Sequence, residues 1–243
     1  MNLIKTEPFE KIPPAESLRV GGFTPLTTID YPGELAAVIF TQGCHLRCQY
    51  CQNGHLIPSR SDHLLPWNEI QTFLEKRTGL LDAVVFSGGE PTLQSALPSA
   101  INDIKAMGFK AGLHTVGSAP GKLARVITKL DWIGFDIKAL PEDYAETTGI
   151  DKGKDCWESL RLMLESGVSY EVRTTIHWQL LPPEKVLKLA KRLQQEGVRH
   201  FVLQNCRTHH CLNQSLTPSI LDEQHRKGIN QELSELFPFY QTR

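Results

Sequence analysis

The sequence has no apolar run approaching the ~20 residues that a membrane-spanning helix needs. It has almost no net charge: 26 lysines and arginines stand against 27 acids, a formal charge of −1. Without a basic field, neither nucleic acid nor an anionic membrane surface is expected as a partner. The opening stretch, MNLIKTEPFEKIPPAESL, carries acids and prolines and lacks a long apolar segment. No secretory signal is therefore expected, and the cytoplasm is the expected compartment. Repeats and low-complexity tracts are also missing. Cysteines number only six, and in a reducing compartment they are expected to be free, metal-bound or catalytic rather than disulfide-bonded. What is there is the composition of a globular protein, 40% hydrophobic and 22% charged, with 243 residues to build a core that needs no staples.

Apolar runs of strand length alternate with stretches of helical period. AAVIFTQ (36–42), DAVVFSGG (82–89), KAGLHTVG (110–117), DWIGFDIK (131–138), SYEVRTTIH (169–177) and RHFVLQN (199–205) are predicted strands. Helices are predicted over 67–76, 95–108, 121–130, 156–167 and 183–197. Six strands joined by helical crossovers require an α/β fold with a parallel sheet covered on its faces. The right-handed crossovers fit an open doubly wound sheet or an incomplete barrel, and periodicity does not choose between them. In both, ligands gather at the carboxyl ends of the strands. Residues 1–20 read as an arm over the body. The stretch after 206 holds one predicted helix over 218–237, interrupted at Gly228.

The most informative stretch follows the first of these strands. FTQGCHLRCQYCQNGHLI (40–57) places Cys44, Cys48 and Cys51 in one polar loop, with C-x3-C-x2-C spacing. Thiolates bind zinc, copper(I) or iron–sulfur clusters. A structural zinc wants a fourth ligand, which His55 or His45 would have to provide. A four-iron cluster can instead leave its fourth iron to a small molecule. Three unrelated exposed thiols would be a liability in a soluble protein. At the end of the next strand, Gly88 and Gly89 either make a plain turn or let backbone approach a ligand closely. Asp136 and Lys138 share one face of their strand, as a structural ion pair or as ligand-binding groups.

The motif at 44–51, with the aromatic Tyr50 before its last cysteine, resembles the radical S-adenosylmethionine (radical SAM) superfamily, as does SGGEP (87–91) after the next strand. Within it, DYPGELAAVIFTQGCHLRCQYCQNGHLI (30–57) and DWIGFDIKAL (131–140) are similar to the activating proteins of glycyl radical enzymes, and above all to the activase of anaerobic ribonucleoside-triphosphate reductase. The likeness covers about residues 21–205. It implies an incomplete (β/α)6 TIM-like barrel of parallel strands with outer helices, divided into an arm (1–20), the radical SAM core (21–205) and a C-terminal extension packed on the core (206–243). It also implies a [4Fe–4S] cluster on Cys44, Cys48 and Cys51. The cluster's open iron would bind the amino and carboxylate groups of S-adenosylmethionine, and reductive cleavage would yield a 5′-deoxyadenosyl radical. The partner would be a glycyl radical enzyme, the electron donor a flavodoxin or ferredoxin.

By the same resemblance Tyr50, Gly88, Gly89, Glu90, His114, Asp136, Lys138 and Gln204 are cofactor-binding residues, and Lys138 and Arg173 are placed at the reaction. Lys138 would meet the methionine carboxylate directly and Asp136 through a monovalent cation. The chain departs from the pattern at HTVG (114–117), where related activases carry DTNG, so the cation is in doubt: an imidazole does not replace an acid as a hard-cation ligand. Arg173 is equally compatible with a salt bridge inside the barrel. Asn53 is suited to bracing the cysteine loop. In NCRTHHC (205–211), Cys206, His209, His210 and Cys211 are metal-binding types, but C-x4-C is not a common zinc spacing. Cys156 reads as a small packing residue. Two other functions stay open: a radical SAM enzyme for a small molecule, such as a deazapurine-forming or nucleoside-modifying enzyme, and a zinc-binding structural module.

Overall fold

The computed structural model describes residues 12–243. One sheet of eight strands runs through it: β1 (Val20–Thr27), β2 (Ala36–Thr41), β3 (Ala83–Gly88), β4 (Lys110–Thr115), β5 (Trp132–Asp136), β6 (Ser169–Ile176), β7 (His200–Asn205) and β8 (Phe239–Thr242). The spatial order is the chain order, β1 to β8, and β1 is not paired with β8, so the sheet is open. β2 through β8 are parallel, and β1 alone is antiparallel. A doubly wound sheet reverses its strand order at a switch point. Unbroken sequential order is instead barrel winding, which decides the alternative that periodicity left open.

The helices are α1 (Trp67–Glu75), α2 (Leu97–Ala106), α3 (Pro120–Ala124), α4 (Tyr144–Thr148), α5 (Gly153–Ser166), α6 (Pro183–Gln195) and α7 (Glu223–Leu236). Each of the longer ones turns an apolar stripe inward. On α6 the buried residues are Val186, Leu189, Ala190 and Leu193, the i, i+3, i+4, i+7 spacing of a packed helix face. The core cluster joins these stripes to strand residues such as Ile39, Phe86, Leu113, Phe135 and Phe201. Burial on both faces explains why strands such as β2 (AAVIFT) and β3 (AVVFSG) read as apolar runs, whereas β6 (SYEVRTTI) buries Glu171 and Arg173 as a pair.

Two edge strands extend the six. β1 (VGGFTPLT) has irregular register and contains Pro25, which an edge strand tolerates because it need not donate on its outer side. β8 is four largely exposed residues. Before β1, a short 3-10 turn at Ala15–Ser17 inserts Ala15 and Leu18 into the core. The first eleven residues of the expected arm lie outside the described residues. The expected interruption at Gly228 is corrected: α7 runs straight through it, and no neighbour lies within 4 Å of where a Cβ would sit. Solvent-facing glycine weakens a helix interior without breaking it.

Candidate active site

The cysteine loop leaves β2 at Thr41 and doubles back on itself. Gln42, 2% exposed, pins the fold-back by donating from Nε2 to the carbonyls of His55 (2.9 Å) and Pro58 (2.7 Å). Gly43 takes φ +106°, and the amides of Gly43 and Cys44 donate to the carbonyls of Leu56 and Ile57. A tight turn closes the motif, with the Cys51 amide 3.0 Å from the Cys48 carbonyl. Cys44, Cys48 and Cys51 are half-buried, and all three line a cavity of about 430 Å³ at the carboxyl edge of the sheet. His45 and His55, the candidate fourth zinc ligands, do not line it. Among the described residues no three His, Cys, Asp or Glu side chains gather as one metal ion requires. Thiols arrayed around a cavity suit a polynuclear cluster better than a mononuclear site.

Burial pushes the Cys44 thiol up to about 12, with the nearby Glu90 adding to the effect. It pushes Cys48 up to about 11 against the opposing charge of Lys138. Both are neutral thiols at neutral pH, so a metal must displace their protons to bind.

Gly88 and Gly89 prove to serve backbone packing. At Gly88 (φ +103°) a Cβ would lie 2.5 Å from the Thr41 amide nitrogen, and at Gly89 it would lie 2.3 Å from the Gly43 carbonyl oxygen. The two loops are laced together there: the Gly89 amide donates to the Thr41 carbonyl and the Glu90 amide to the Gly43 carbonyl, each at 2.9 Å. Both glycines also line the cavity. Glu90 is 1% exposed. One carboxylate oxygen accepts from the Thr92 amide, the Thr92 hydroxyl and the Thr115 hydroxyl; the other accepts from the Val116 amide. Its side chain thus clamps the turn after β3 to the turn after β4. Burial still raises its pKa, with those hydrogen bonds opposing. Gln42 and Thr115 went unread because their partners lie 13 to 25 positions away, and Thr92 because its bond to the nearby Glu90 matters only once Glu90 reaches Thr115.

Asp136 ends β5 and Lys138 follows; their charged groups lie 3.4 Å apart. Both line the cavity. Burial works against the Lys138 charge, but Asp136, together with Tyr50 and Cys48 beside it, outweighs it and keeps the ammonium protonated. Nζ also lies 5.7 Å from the centre of the Tyr50 ring. The Tyr50 hydroxyl is buried at the cavity with no protein partner. That orphaned donor, with the three thiols and the paired lysine, fits a polar ligand bound beside a cluster.

His114 also lines the cavity. Nε2 donates to the Asp30 carbonyl at 2.7 Å, which leaves Nδ1 to accept from the Ser87 hydroxyl at 3.3 Å. Burial, then the Arg173 charge, holds the ring well below the usual imidazole range, so it is neutral. Arg173 does not line the cavity. Its guanidinium lies 5.0 Å from the Trp132 ring centre and pairs with Glu171 at 2.7 Å, beside Gly134, where a Cβ would come within 2.4 Å of it. Two arginines do reach the cavity, Arg207 and Arg243, the latter held on Glu171 by two hydrogen bonds of 2.9 and 3.0 Å. Gln204 and Asn53 line the cavity as well, joined by Thr175, Asn205 and Cys206.

Residues 38–178 match the radical SAM superfamily. Over 183 residues the chain is 30% identical to the putative glycyl-radical enzyme activating enzyme MJ1227 of Methanocaldococcus jannaschii, covering 72% of this chain and 75% of that protein. It is 30% identical to the pyruvate formate-lyase-activating enzyme of Clostridium pasteurianum, covering 65% of this chain and 68% of the relative. Among solved structures, Streptococcus suis SuiB bound to S-adenosylmethionine superposes with a TM-score of 0.67 at 14% identity, covering 85% of this chain and 49% of that one. This chain thus spans about half of that structure, and the likeness shows the fold alone. No helix among the described residues is long and apolar enough to cross a membrane. The chain belongs to the radical SAM superfamily and, within it, to the family of glycyl-radical-enzyme activases.

Proposed function

We propose that this radical SAM enzyme installs a glycyl radical on a partner, and that the partner is anaerobic ribonucleoside-triphosphate reductase. One observation supports the site: Cys44, Cys48, Cys51, the Gly88–Glu90 edge and the Asp136–Lys138 pair all open on one cavity at the carboxyl ends of the strands. The choice of partner rests on the likeness of residues 30–57 and 131–140 to that reductase's activase.

Cys44, Cys48 and Cys51 would hold a [4Fe–4S] cluster, with the neighbouring cavity left to receive S-adenosylmethionine. When bound, this pair supplies one-electron cleavage of the sulfonium to methionine and a 5′-deoxyadenosyl radical able to take hydrogen from a glycine. Lys138, held charged by Asp136, meets the methionine carboxylate. The backbone of Gly88 to Glu90 receives the amine. Tyr50 offers its unpartnered hydroxyl, and Gln204, which lines the same cavity, would contact the adenosyl group. Neutral His114 adds no negative charge for a monovalent cation, so Asp136 would hold one without its help. Arg173 acts through Glu171, which also holds Arg243 at the cavity, as a positioning residue. A flavodoxin or ferredoxin delivers the electron.

Anaerobic reconstitution with iron and sulfide, followed by an assay with and without the reductase, tests the proposal. It requires 5′-deoxyadenosine together with the doublet spectrum of a glycyl radical. 5′-Deoxyadenosine with no radical on any glycyl radical enzyme would favour a small-molecule substrate. One observation favours that second reading: the tail brings Arg207 and Arg243 to the cavity and so supplies polar groups for a closed pocket.

A further inference from the structure

The segment that leaves β7 is fastened along the cysteine loop. The Cys206 amide donates to the Ile176 carbonyl at 2.9 Å. Gln52 Nε2 donates to the Arg207 carbonyl at 2.6 Å. The Leu212 amide donates to the Cys51 carbonyl at 2.8 Å, and the Asn213 amide to the Gln49 carbonyl at 2.9 Å. The turn between includes His210 at φ +63°, the only non-glycine positive φ among the described residues. It brings the Cys206 and Cys211 sulfurs to 4.0 Å from each other. Cys211 is buried, its sulfur 3.6 Å from the Tyr50 carbonyl, whereas Cys206 is half-buried and lines the cavity. This pair belongs neither to the three-cysteine motif nor to any group of three or more metal-ligating residues among those described.

We propose that Cys206 and Cys211 form a reversible dithiol–disulfide pair that latches this segment onto the cysteine loop. The sulfurs need only a rotamer-scale approach to reach the ~2.05 Å of a disulfide. In forming it, two S–H bonds break and one S–S bond forms. Two protons leave to solvent, and two electrons pass to a low-molecular-weight disulfide, which becomes two thiols. The ring so closed spans residues 206–211, whose backbone touches Gln52 and leads into the hydrogen bonds on Cys51 and Gln49. Oxidation therefore stiffens the wall of the cluster site itself.

Arg207 lies between the two cysteines, so trypsin separates them into peptides 200–207 and 208–226, which only a disulfide keeps together. The anaerobic holoprotein is equilibrated with oxidised glutathione, alkylated, and digested without reduction. The proposal requires the linked pair of peptides while cluster absorbance persists, and loss of the link in Cys206→Ser and in Cys211→Ser. Glutathione adducts without linkage, or linkage of either cysteine to Cys44, Cys48 or Cys51, overturns it. The latch is read separately. Iron release from the oxidised holoprotein to a chelator should be about tenfold slower than from the reduced form, within what a small disulfide ring adds to local stability. Equal release rates overturn the latch.

Discussion

The Lys138 ammonium lies 3.4 Å from the Asp136 carboxylate and 5.7 Å from the centre of the Tyr50 ring. The lysine is thereby kept charged beside the ring of a tyrosine whose hydroxyl is buried and unpartnered, and both residues line the cavity. Lys138→Ala should weaken S-adenosylmethionine binding by about 10- to 100-fold, the range of a hydrogen bond to a charged group at ~1.5–3 kcal/mol. Cluster content should hold. Equilibrium binding to the reconstituted protein measures this, and unchanged affinity would remove Lys138 from the site.

Cys44→Ala, Cys48→Ala and Cys51→Ala should each abolish cluster assembly and 5′-deoxyadenosine formation, because the loop has no spare ligand at the cavity. Iron analysis and the product assay check this together. Full S-adenosylmethionine cleavage by any of the three would refute the ligand assignment.

Two glycine substitutions should act in opposite directions. Gly88→Ala would force a Cβ against the Thr41 backbone at φ +103° and should cost ~2 kcal/mol or more. For a chain of this size that lowers Tm by roughly 4–8 °C. Gly228→Ala, mid-helix with open space around it, should stabilise by ~0.5–1 kcal/mol. Thermal unfolding of both variants decides, and a harmless Gly88→Ala would contradict the backbone-lacing role.

His114 sets an acid limit. Its folded pKa lies well below the usual 6.5, through burial and then Arg173. The unfolded chain therefore binds the extra proton first. Stability is fully present above pH 6.5 and falls as pH drops through it, by at most ~1.4 kcal/mol per pH unit. His45, also held low by burial, adds the same sign to both proteins compared. Denaturant unfolding of His114→Gln from pH 8 to pH 5 should show a flatter profile than the unsubstituted chain, whereas parallel profiles would contradict the burial argument.

Much of this was legible in the sequence where chemistry and burial leave a local trace. Strands β2, β3 and β5 are largely apolar and read as runs, and even β6, with Glu171 and Arg173 buried within it, keeps enough β-branched and aromatic residues to read as a strand. β1 and β8 lie at the sheet's two edges, one broken by Gly21, Gly22 and Pro25 and the other only four residues, largely exposed, so neither leaves a period. The cysteine spacing and the Asp136–Lys138 alternation are one-dimensional signals, and they point to the cavity. The two glycines were legible as close-approach positions, but what approaches is the Thr41–Gly43 backbone, knowable only once β2 and β3 are paired. The clamp at Glu90 likewise joins residues 25 positions apart. Arg173 was legible as a cofactor-side residue or a salt bridge, and its guanidinium packs on Gly134 away from the cavity lining; Arg243, just after β8, carries no local signal and reaches the cavity only because β8 joins the sheet.

The central claim is a cluster anchored by three cysteines that leaves one iron free for S-adenosylmethionine. Electron paramagnetic resonance of the reduced, reconstituted protein tests it most directly. Adding S-adenosylmethionine should change the cluster signal, and 5′-deoxyadenosine should follow under reducing conditions. A signal indifferent to S-adenosylmethionine, or a protein that stays colourless after anaerobic loading, would contradict the account.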